Sequence, residues 1–533
     1  MIKNITIKRV FIFVILALFL RIYNFSFPTF TTEEAKIAFR GYALAISGRD
    51  ELGRFLPILF NSLTDYQLPV TSYITALGEA IFGKTDFGVR IPFLILGIAI
   101  VIMGYKNSQL FNQRKIFWIT NVLVLIFSPV LIFLSKIPND TIVLTFLIML
   151  LFYLLTSTSV KIFLLVPVMI LSLGVSKFAW FIVPPFVIFT LFYYQNNLAN
   201  KAKIALSIIS LILTIIVIGF YLQVPQSRRS LSENNFSIFS SSTIKNGINR
   251  IRGQGIESGW SNFAEVVLFN KSDFFIIGFI HWLSNLKPGV YFGQLDGSGQ
   301  LNFSQAGAFS MVLVIPFTLG LVYLVRMGSK KERLLLGFLI ILTFPTIFIY
   351  PNYSQSLVVL TLPFVALIIA FGFLQLNRMF SLLLISLMAL ELGLNLFYLS
   401  PEKKETNFLR PDWVKILTQD VYNQSLNHKT ALSDNIASDV VNFIEWYNPI
   451  DVHTSYTDVS YPYKFRQSNI QNIKIIGSDN QPYSCITVDY ESVFVSRRDL
   501  DRIKDSDMKV LKTYHDNLNQ EVGYLLNKGL CIK

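Results

Sequence analysis

The sequence predicts an α-helical protein that crosses a membrane many times. Hydrophobic residues make up 53% of its 533 residues, and the mean hydropathy is +0.51. Apolar runs long enough to cross a bilayer recur along residues 1–400. Inside lipid the backbone must satisfy its own hydrogen bonds, so these runs form helices, since the alternating pattern of a membrane barrel is absent. This composition excludes a soluble enzyme.

We predict eleven membrane-spanning helices, judged against about 20 residues for each crossing. The predicted spans are residues 8–25, 88–108, 116–134, 140–158, 161–176, 178–195, 204–222, 306–326, 334–350, 355–375 and 379–399. Segment 69–84 is too short to span and contains Glu79. We therefore predict an interfacial helix there, lying along the outer surface of the membrane.

The distribution of Lys and Arg in the short loops predicts the orientation. With the N-terminus in the cytoplasm, the basic loop at residues 106–115 is also cytoplasmic, provided that segment 69–84 does not cross. Loops 26–87 and 223–305 then lie outside, together with residues 401–533. The predicted location is the cell (plasma) membrane, as a multi-pass protein with an extracytoplasmic C-terminal domain.

Charge supports a domain boundary near residue 400. Residues 401–533 contain 16 Lys and Arg against 18 Asp and Glu, whereas residues 1–400 contain 30 against 15. A basic membrane domain suits anionic or phosphorylated lipid rather than nucleic acid, although the positive-inside bias explains most of the excess. Residues 401–533 are predicted to form a small α/β domain. Its predicted helices are 411–426 and 435–447, and its predicted strands are 472–476, 484–489, 492–496, 508–513 and 522–526.

The sequence contains no recognisable cofactor motif. No Gly-rich phosphate loop follows a strand, and the four His residues are scattered without metal-ligand spacing. We therefore predict no cofactor and no bound metal, although two carboxylate loops could hold a divalent cation. Cys485 and Cys531 both lie in the outer domain, where a disulfide is permitted but not required.

Glu33 and Glu34, a few residues beyond the first apolar span, are the strongest catalytic candidates. Adjacent carboxylates at the mouth of a membrane helix are costly unless they have a partner or a function. Such a carboxylate can act as a general base toward a hydroxyl group. The structural alternative is an ion pair with Lys36 or Arg40 on the same helix.

Further motifs in the outer loops share an order and spacing with a known family. The N-terminal motifs are Leu20-Arg21, Thr32-Glu33-Glu34-Ala35, Ser47-Gly48-Arg49-Asp50-Glu51, Asp65-Tyr66-Gln67-Leu68-Pro69 and Phe87-Gly88-Val89-Arg90-Ile91-Pro92. The later motifs are Ser135-Lys136, Asn139-Asp140, Asn270-Lys271 and His281-Trp282. The chain resembles bacterial GT-C glycosyltransferases, in the group related to protein O-mannosyltransferases and the lipid A aminoarabinose transferase.

The resemblance implies a GT-C fold and a glycosyltransferase, either a hexosyl- or a pentosyltransferase. Such an enzyme takes a sugar from a polyprenyl-phosphate-linked donor and passes it to an extracytoplasmic acceptor, which here is unknown (protein, lipid or glycan). The family's catalytic base is an Asp at the position of Glu33, so Glu33 is the first candidate for the base and Glu34 the second. Lys136 replaces the usual Arg, and Gln67-Leu68 replaces the usual Lys-Pro.

The charge of the leaving group points to Arg90, Lys136 or Lys271 as substrate-binding residues, and the resemblance implies Asp65, Tyr66, Asp140 and His281. A departing lipid phosphate calls for Lys or Arg. The predicted substrate-binding residues are Asp65, Tyr66, Arg90, Lys136, Asp140, Lys271 and His281. Three of these residues also have a structural interpretation. Asp140 could cap a helix, Asp65 could be a turn residue, and His281 could pack at the membrane interface. Arg21 is either a headgroup anchor or a contact to lipid phosphate.

Two other classes of function stay open at this point. A polytopic transporter or flippase of lipid-linked saccharides would share the basic membrane domain and the number of helices. Transporters usually carry ionisable residues in mid-membrane and show internal repeats. Here most charges lie at the ends of spans, with Glu391 as an exception, and no repeat is visible. The replacement of Asp by Glu at residue 33 also leaves open a catalytically inactive GT-C-like scaffold.

Overall fold

The structure is a computed structural model. It describes residues 2–23, 25, 30–50, 53–61, 66–156, 162–194, 198–224, 239, 241–259, 272–293, 307–349, 354–398, 412–433, 443–444, 446–448, 473–476, 492–496, 510–515 and 521–526.

The described part of the chain is mostly helical. Its helices are α1 (Ile2–Ile22), α2 (Thr32–Ser47), α3 (Val70–Phe82), α4 (Asp86–Phe111), α5 (Lys115–Ile126), α6 (Pro129–Leu134), α7 (Asp140–Thr156), α8 (Ile162–Leu173), α9 (Ala179–Tyr193), α10 (Asn200–Gln223), α11 (Ser242–Glu257), α12 (Ser272–Asn285), α13 (Pro288–Phe292), α14 (Val314–Arg326), α15 (Lys330–Thr343), α16 (Ser354–Phe373), α17 (Arg378–Tyr398) and α18 (Asp412–Asn427). Short 3₁₀ helices, Met311–Leu313 and Phe344–Ile347, precede α14 and follow α15.

Each of the eleven predicted spans overlaps helical structure among the described residues, and the span 116–134 is divided between two α-helices. The predicted span 116–134 divides into α5 and α6. Ser128 is the N-cap of α6 and Pro129 is its first residue, so the chain restarts a helix where proline cannot continue one. The Ser128 hydroxyl also donates to the backbone carbonyl of Ala308 at 2.8 Å. The predicted interfacial segment 69–84 contains the 13-residue helix α3.

The helices differ in how much of a bilayer they can span. Among the described residues, α4 and α10 are long and apolar enough to cross a membrane by themselves, with 26 and 24 residues. The remaining apolar helices are shorter. The number of crossings therefore remains a prediction from the sequence, as does their orientation.

Helix α16 forms the centre of the helical bundle. Its side chains from Leu357 to Phe373 are almost entirely buried, on every face of the helix. Helices α5, α7, α14 and α15 pack around it. A helix that is apolar all round is expected in such a central position, because no face of it needs to meet water.

The chain forms two compact units. One comprises residues 1–23, 64–70 and 93–399, and the other comprises residues 24–63, 71–92 and 400–533. The second unit thus contains α2 together with the C-terminal α/β segment. We call the first the bundle unit and the second, after the predicted location of its loops, the outer-loop unit. The domain division at residue 400 that we expected from charge stays a prediction.

The outer-loop unit contains a five-stranded mixed sheet. Short strands Phe60–Asn61 (β1) and Tyr66–Gln67 (β2) occur in the N-terminal part of the chain. The sheet strands are β3 (Thr430–Ser433), β4 (Ile473–Ile476), β5 (Ser492–Ser496), β6 (Val510–His515) and β7 (Glu521–Leu526), in the order β4-β3-β5-β7-β6. Strand β3 is parallel to β4 and β5, while β7 is antiparallel to β5 and β6.

The helices and strands predicted for residues 401–533 are confirmed in most of their described elements. Helix α18 and strands β4 to β7 lie at the predicted positions. Strand β3 was missed, because four residues with little β-branched character give a weak local signal and their burial in the sheet decides the structure. The predicted strand 484–489 lies outside the described residues, and of the predicted helix 435–447 only residues 443–444 and 446–447 are described, all helical.

Candidate active site

The acidic doublet lies in the first turn of α2. Thr31 is the N-cap, and its hydroxyl oxygen accepts the backbone N–H of Glu34 at 3.3 Å. The carboxylate of Glu34 accepts the backbone N–H of Thr31 at 2.9 Å in return. This reciprocal pair is a capping box, which satisfies two backbone donors at the start of a helix. Glu34 is buried, with 6% of its surface exposed.

Glu33 and Glu34 occupy different helical positions, although they are adjacent in sequence. Glu34 occupies the third helical position, where its carboxylate turns back onto the N-cap, whereas Glu33 occupies the second position. The side chain of Glu33 lies outside the described part. The sequence signal for the cap is Thr31-x-x-Glu34, a spacing that the prediction of the two candidate bases did not take into account.

Arg90, a predicted substrate-binding residue, is buried next to the segment that leads into α2. Its guanidinium donates to the backbone carbonyl of Phe25 at 2.6 Å and lies 4.7 Å from the ring centroid of Phe30. Phe30 directly precedes the N-cap Thr31. Within the outer-loop unit, the structure thus brings a cation, the aromatic ring of Phe30 and the start of α2 together.

Glu79 is a buried acid that sequence reasoning did not assign to the site. It lies on α3 with 2% of its surface exposed, and among the described residues neither of its carboxylate oxygens has a hydrogen-bond partner. Its Oε2 atom lies against the Cα position of Gly41 on α2, where a Cβ would collide with it. Burial raises the pKa of Glu79 well above its usual range, and the nearby charge of Lys84 opposes this shift. The protonated, neutral form is therefore favoured at the contact between α2 and α3.

Replacing Glu79 by Gln is expected to stabilise the protein more at high pH than at low pH. Because the folded-state pKa is raised, the folded protein binds more protons than the unfolded chain above the unfolded pKa of about 4.3, so wild-type stability falls as pH rises toward the folded pKa. Gln does not titrate and escapes this loss. Thermal unfolding in detergent at pH 5 and pH 8 measures the difference.

The matched control for this prediction is Glu257→Gln, at the exposed end of α11. An exposed substitution of this kind is expected to change stability by at most about 0.5 kcal/mol at either pH. If Glu79→Gln shows the same small change at both pH values as the control, Glu79 is not held in a desolvated site.

The bundle unit gathers two basic residues at the end of α1. Arg21 is fully buried and donates to the carbonyl of Ala17 at 3.2 Å, and its Nε and Nη2 atoms have no hydrogen-bond partner within the described part of the chain. Both Arg21 and Ser135 pack against Gly97. The next residue, Lys136, donates to the carbonyl of Tyr23 at 2.6 Å. Two donors of a buried guanidinium are thus available beside a second cation.

Two other predicted site residues also lie in the bundle unit. Asp140 is the first residue of α7, and the preceding Asn139 accepts the backbone N–H of Thr141 at 2.6 Å. His281 lies on α12, 3.5 Å from the side-chain nitrogen of Asn285, and burial lowers its pKa. Its neutral form is therefore favoured.

Several predicted residues lie outside the described part. These are Asp65 and Lys271, the side chain of Tyr66, and both Cys485 and Cys531. Among the described residues, no group of three or more His, Cys, Asp or Glu could hold a metal ion. The roles of the predicted residues outside the described part remain predictions, as does the expected lack of a cofactor or metal.

Two solved structures of ArnT from Cupriavidus metallidurans are similar to the whole chain. The apo-state crystal structure has a TM-score of 0.57 at 10% sequence identity, covering 98% of this chain and 98% of that one. The structure bound to undecaprenyl phosphate has a TM-score of 0.51 at 11% identity, covering 97% and 98%. The chain has the GT-C fold. The predicted fold class is confirmed.

The similarity to these two structures is one of fold, at low sequence identity. No family model matches the chain, and no curated protein matches it significantly. The oligosaccharyltransferase of Archaeoglobus fulgidus, in complex with Zn and sulfate, has a lower TM-score of 0.47 at 11% identity, over 91% of this chain and 67% of that one.

Proposed function

We propose that the protein is a glycosyltransferase that moves a hexosyl or pentosyl group from a polyprenyl-phosphate-linked donor to an extracytoplasmic acceptor. Glu33 serves as the general base, in a multi-pass protein of the cell membrane whose N-terminus is cytoplasmic and whose C-terminal unit is outside. The observation that carries the proposal is the acidic first turn of α2 on a GT-C fold. Membrane lipid surrounds the bundle unit.

The difference between the two carboxylates supports Glu33 as the base. A hydroxyl that attacks the anomeric carbon must lose a proton, and a carboxylate within hydrogen-bond reach accepts it. Glu34 already accepts the N–H of Thr31 and is buried. Its carboxylate therefore serves to cap the start of α2, and we assign the proton transfer to Glu33.

The basic groups of the chain suit a phosphate leaving group. Negative charge develops on the carrier phosphate as the sugar leaves, and guanidinium or ammonium groups stabilise it. Arg21 has two buried donors without partners among the described residues, and Lys136 lies at the same end of α1. We assign the carrier phosphate to these two residues and keep Arg90 as a contact to the donor sugar. One of the similar ArnT structures is bound to undecaprenyl phosphate, which supports this class of donor.

The mid-membrane acid Glu391, which would support a transporter, has a structural explanation. It lies on α17, and its carboxylate accepts the hydroxyl of Ser310 and the backbone N–H of Met311, the latter at 3.1 Å. It thereby satisfies donors at the start of the 3₁₀ helix that leads into α14. The residue need not act in ion coupling, and the enzyme is the better supported function.

The test uses the full-length protein in lipid vesicles with a panel of radiolabelled polyprenyl-phosphate hexoses and pentoses. We expect release of the carrier phosphate with at least one donor, while the same carrier without a sugar serves as the control. Movement of the intact labelled lipid across the bilayer without release would support the transporter instead. Neither release nor movement would support the inactive scaffold.

A further inference from the structure

Lys84 lies in the turn between α3 and α4, where its ammonium group meets four different residues. It donates to the backbone carbonyl of Asn448 at 2.7 Å. It also lies 5.7 Å from the ring centroid of Phe39, 5.4 Å from that of Tyr42 and 5.8 Å from that of Trp446. A cation within about 6 Å of an aromatic face is attracted by the negative charge of that face. Three rings and one carbonyl thus contact Lys84, and its charge also acts on Glu79 of α3.

These contacts come from two distant parts of the chain. Phe39 and Tyr42 belong to α2, the helix that begins with the acidic doublet. Trp446 and Asn448 belong to the C-terminal segment. Asn448 is 364 residues away from Lys84 in the sequence. Lys84 therefore lies between the helix with the proposed base and the C-terminal α/β segment.

A second set of contacts joins the same parts without Lys84. The indole N–H of Trp446 donates to the carboxylate of Asp86 at 3.1 Å, and its ring lies 6.2 Å from that of Phe30. Ala35 and Ala38 of α2 are fully buried. They share one core with C-terminal residues, among them Val414, Leu417, Val421, Leu432, Phe443, Ile444, Phe494 and Leu525. The small alanine side chains allow α2 to lie close to this core.

Glu33 depends on this arrangement, because the base must lie within hydrogen-bond reach of the acceptor. A displacement of about 1 Å in a group that positions the reaction can cost about 10²-fold in rate. The apolar core holds α2 against the C-terminal segment. Apolar contacts are not directional, however, so they do not by themselves fix the exact position of the helix. The ammonium group of Lys84 adds a directional contact at the middle of α2.

We propose that Lys84 is a positioning residue for the active-site helix, which it ties to the C-terminal α/β segment, so that this segment sets the position of the base. This proposal rests on the proposed function for its effect on rate. The tie itself is a property of the fold and can be measured separately. The C-terminal segment then affects the rate only through the contacts of Trp446 and Asn448 that position α2.

The experiment compares Lys84→Met with wild type in the full-length protein. Methionine keeps an unbranched apolar side chain but loses the charge and the donor, while Lys84→Arg keeps both. Hydrogen–deuterium exchange is measured for the amides of α2 and of the strands β5 and β7. With the polyprenyl-phosphate donor that the wild type uses, kcat and KM are measured as well.

Lys415→Met is the matched control. Lys415 lies on α18 of the same unit, 4.5 Å from the ring centroid of Tyr447, so its replacement also removes one cation above an aromatic ring. That ring belongs to the C-terminal segment and not to α2. This control shows whether an effect of Lys84→Met comes from its contact with α2 or from the loss of a cation above any aromatic ring in the unit.

We expect exchange of the α2 amides to rise about tenfold in Lys84→Met, with little change in β5 and β7. We also expect kcat to fall about tenfold with KM changed less than about twofold, since the base moves but the donor site does not. Lys84→Arg should restore both quantities, and Lys415→Met should change neither.

Unchanged exchange of α2 in Lys84→Met would overturn the proposal. So would an equal rise in exchange throughout the unit, since that would mean general destabilisation. A wild type without turnover on any donor would contradict the proposed function instead, and the exchange comparison would still decide whether Lys84 holds α2.

Discussion

Replacing Glu33 by Gln is expected to lower kcat by about 10²–10⁴-fold, the usual contribution of a general base. The amide has nearly the same size but cannot accept the acceptor's proton. Glu34→Gln should keep activity within a few-fold, because an amide oxygen can still accept the N–H of Thr31 in the capping box. Release of carrier phosphate by the purified variants in vesicles measures both.

The control for Glu34→Gln is Glu332→Gln. Glu332 is the third residue of α15 and forms a second capping box with Ser329, in which its carboxylate accepts the N–H of Ser329 at 2.7 Å. The two substitutions therefore make the same change to the same local structure, in different places. Equal small effects would mean that Glu34 acts as a cap alone. The opposite pattern, with an active Glu33→Gln and an inactive Glu34→Gln, would transfer the role of base to Glu34.

Replacing Gly372 by Ala is expected to destabilise the bundle unit by about 3 kcal/mol, at the upper end of the usual cost of overpacking a core. Gly372 lies near the end of α16, where an added Cβ would lie 2.5 Å from the carbonyl carbon of Pro316 and closer still to its oxygen. Gly320 of α14 makes the reciprocal approach to the backbone of Ile368. Backbone cannot move aside as a side chain can, so the two helices must separate. Thermal unfolding in detergent measures the loss.

Gly393→Ala, on α17, is the control with the opposite expected sign. Apart from Gly393 itself, its two chain neighbours and the backbone of its own helix, no atom of the described residues lies within 4 Å of the Cβ that would be added there. Alanine favours a helix over glycine by about 1 kcal/mol, so this substitution should be neutral or stabilising. If Gly372→Ala is as well tolerated as Gly393→Ala, α14 and α16 do not pack as closely as described.

The close approach of α14 to α16 also explains how a bundle in lipid is held together. Lipid chains are as apolar as the side chains of the helices, so the hydrophobic effect contributes little to helix association there. Contact between backbones at small residues provides dispersion attraction instead. Gly320 and Gly372 supply this contact beside the central helix of the bundle.

Much of the candidate site could be predicted from the sequence, and the remainder depends on contacts between distant segments. The acidic doublet was evident because two carboxylates beside a membrane span are rare. The distinction between Glu33 and Glu34 was also local, since Thr31 and Glu34 have the spacing of a capping box. The burial of Glu79 was not predictable, because it arises from the packing of α3 on α2 at Gly41.

The sequence by itself determined that the chain is a polytopic helical protein with an α/β C-terminal segment, since apolar runs and periodicity are local properties. Only the tertiary structure decided that α2 belongs to the same compact unit as residues 400–533, and that Lys84 meets the carbonyl of Asn448. Such pairings depend on which surfaces fit together after the elements form. Local pattern carries no information on them, because the free energy that selects them comes from burial and from contacts between residues far apart in the chain.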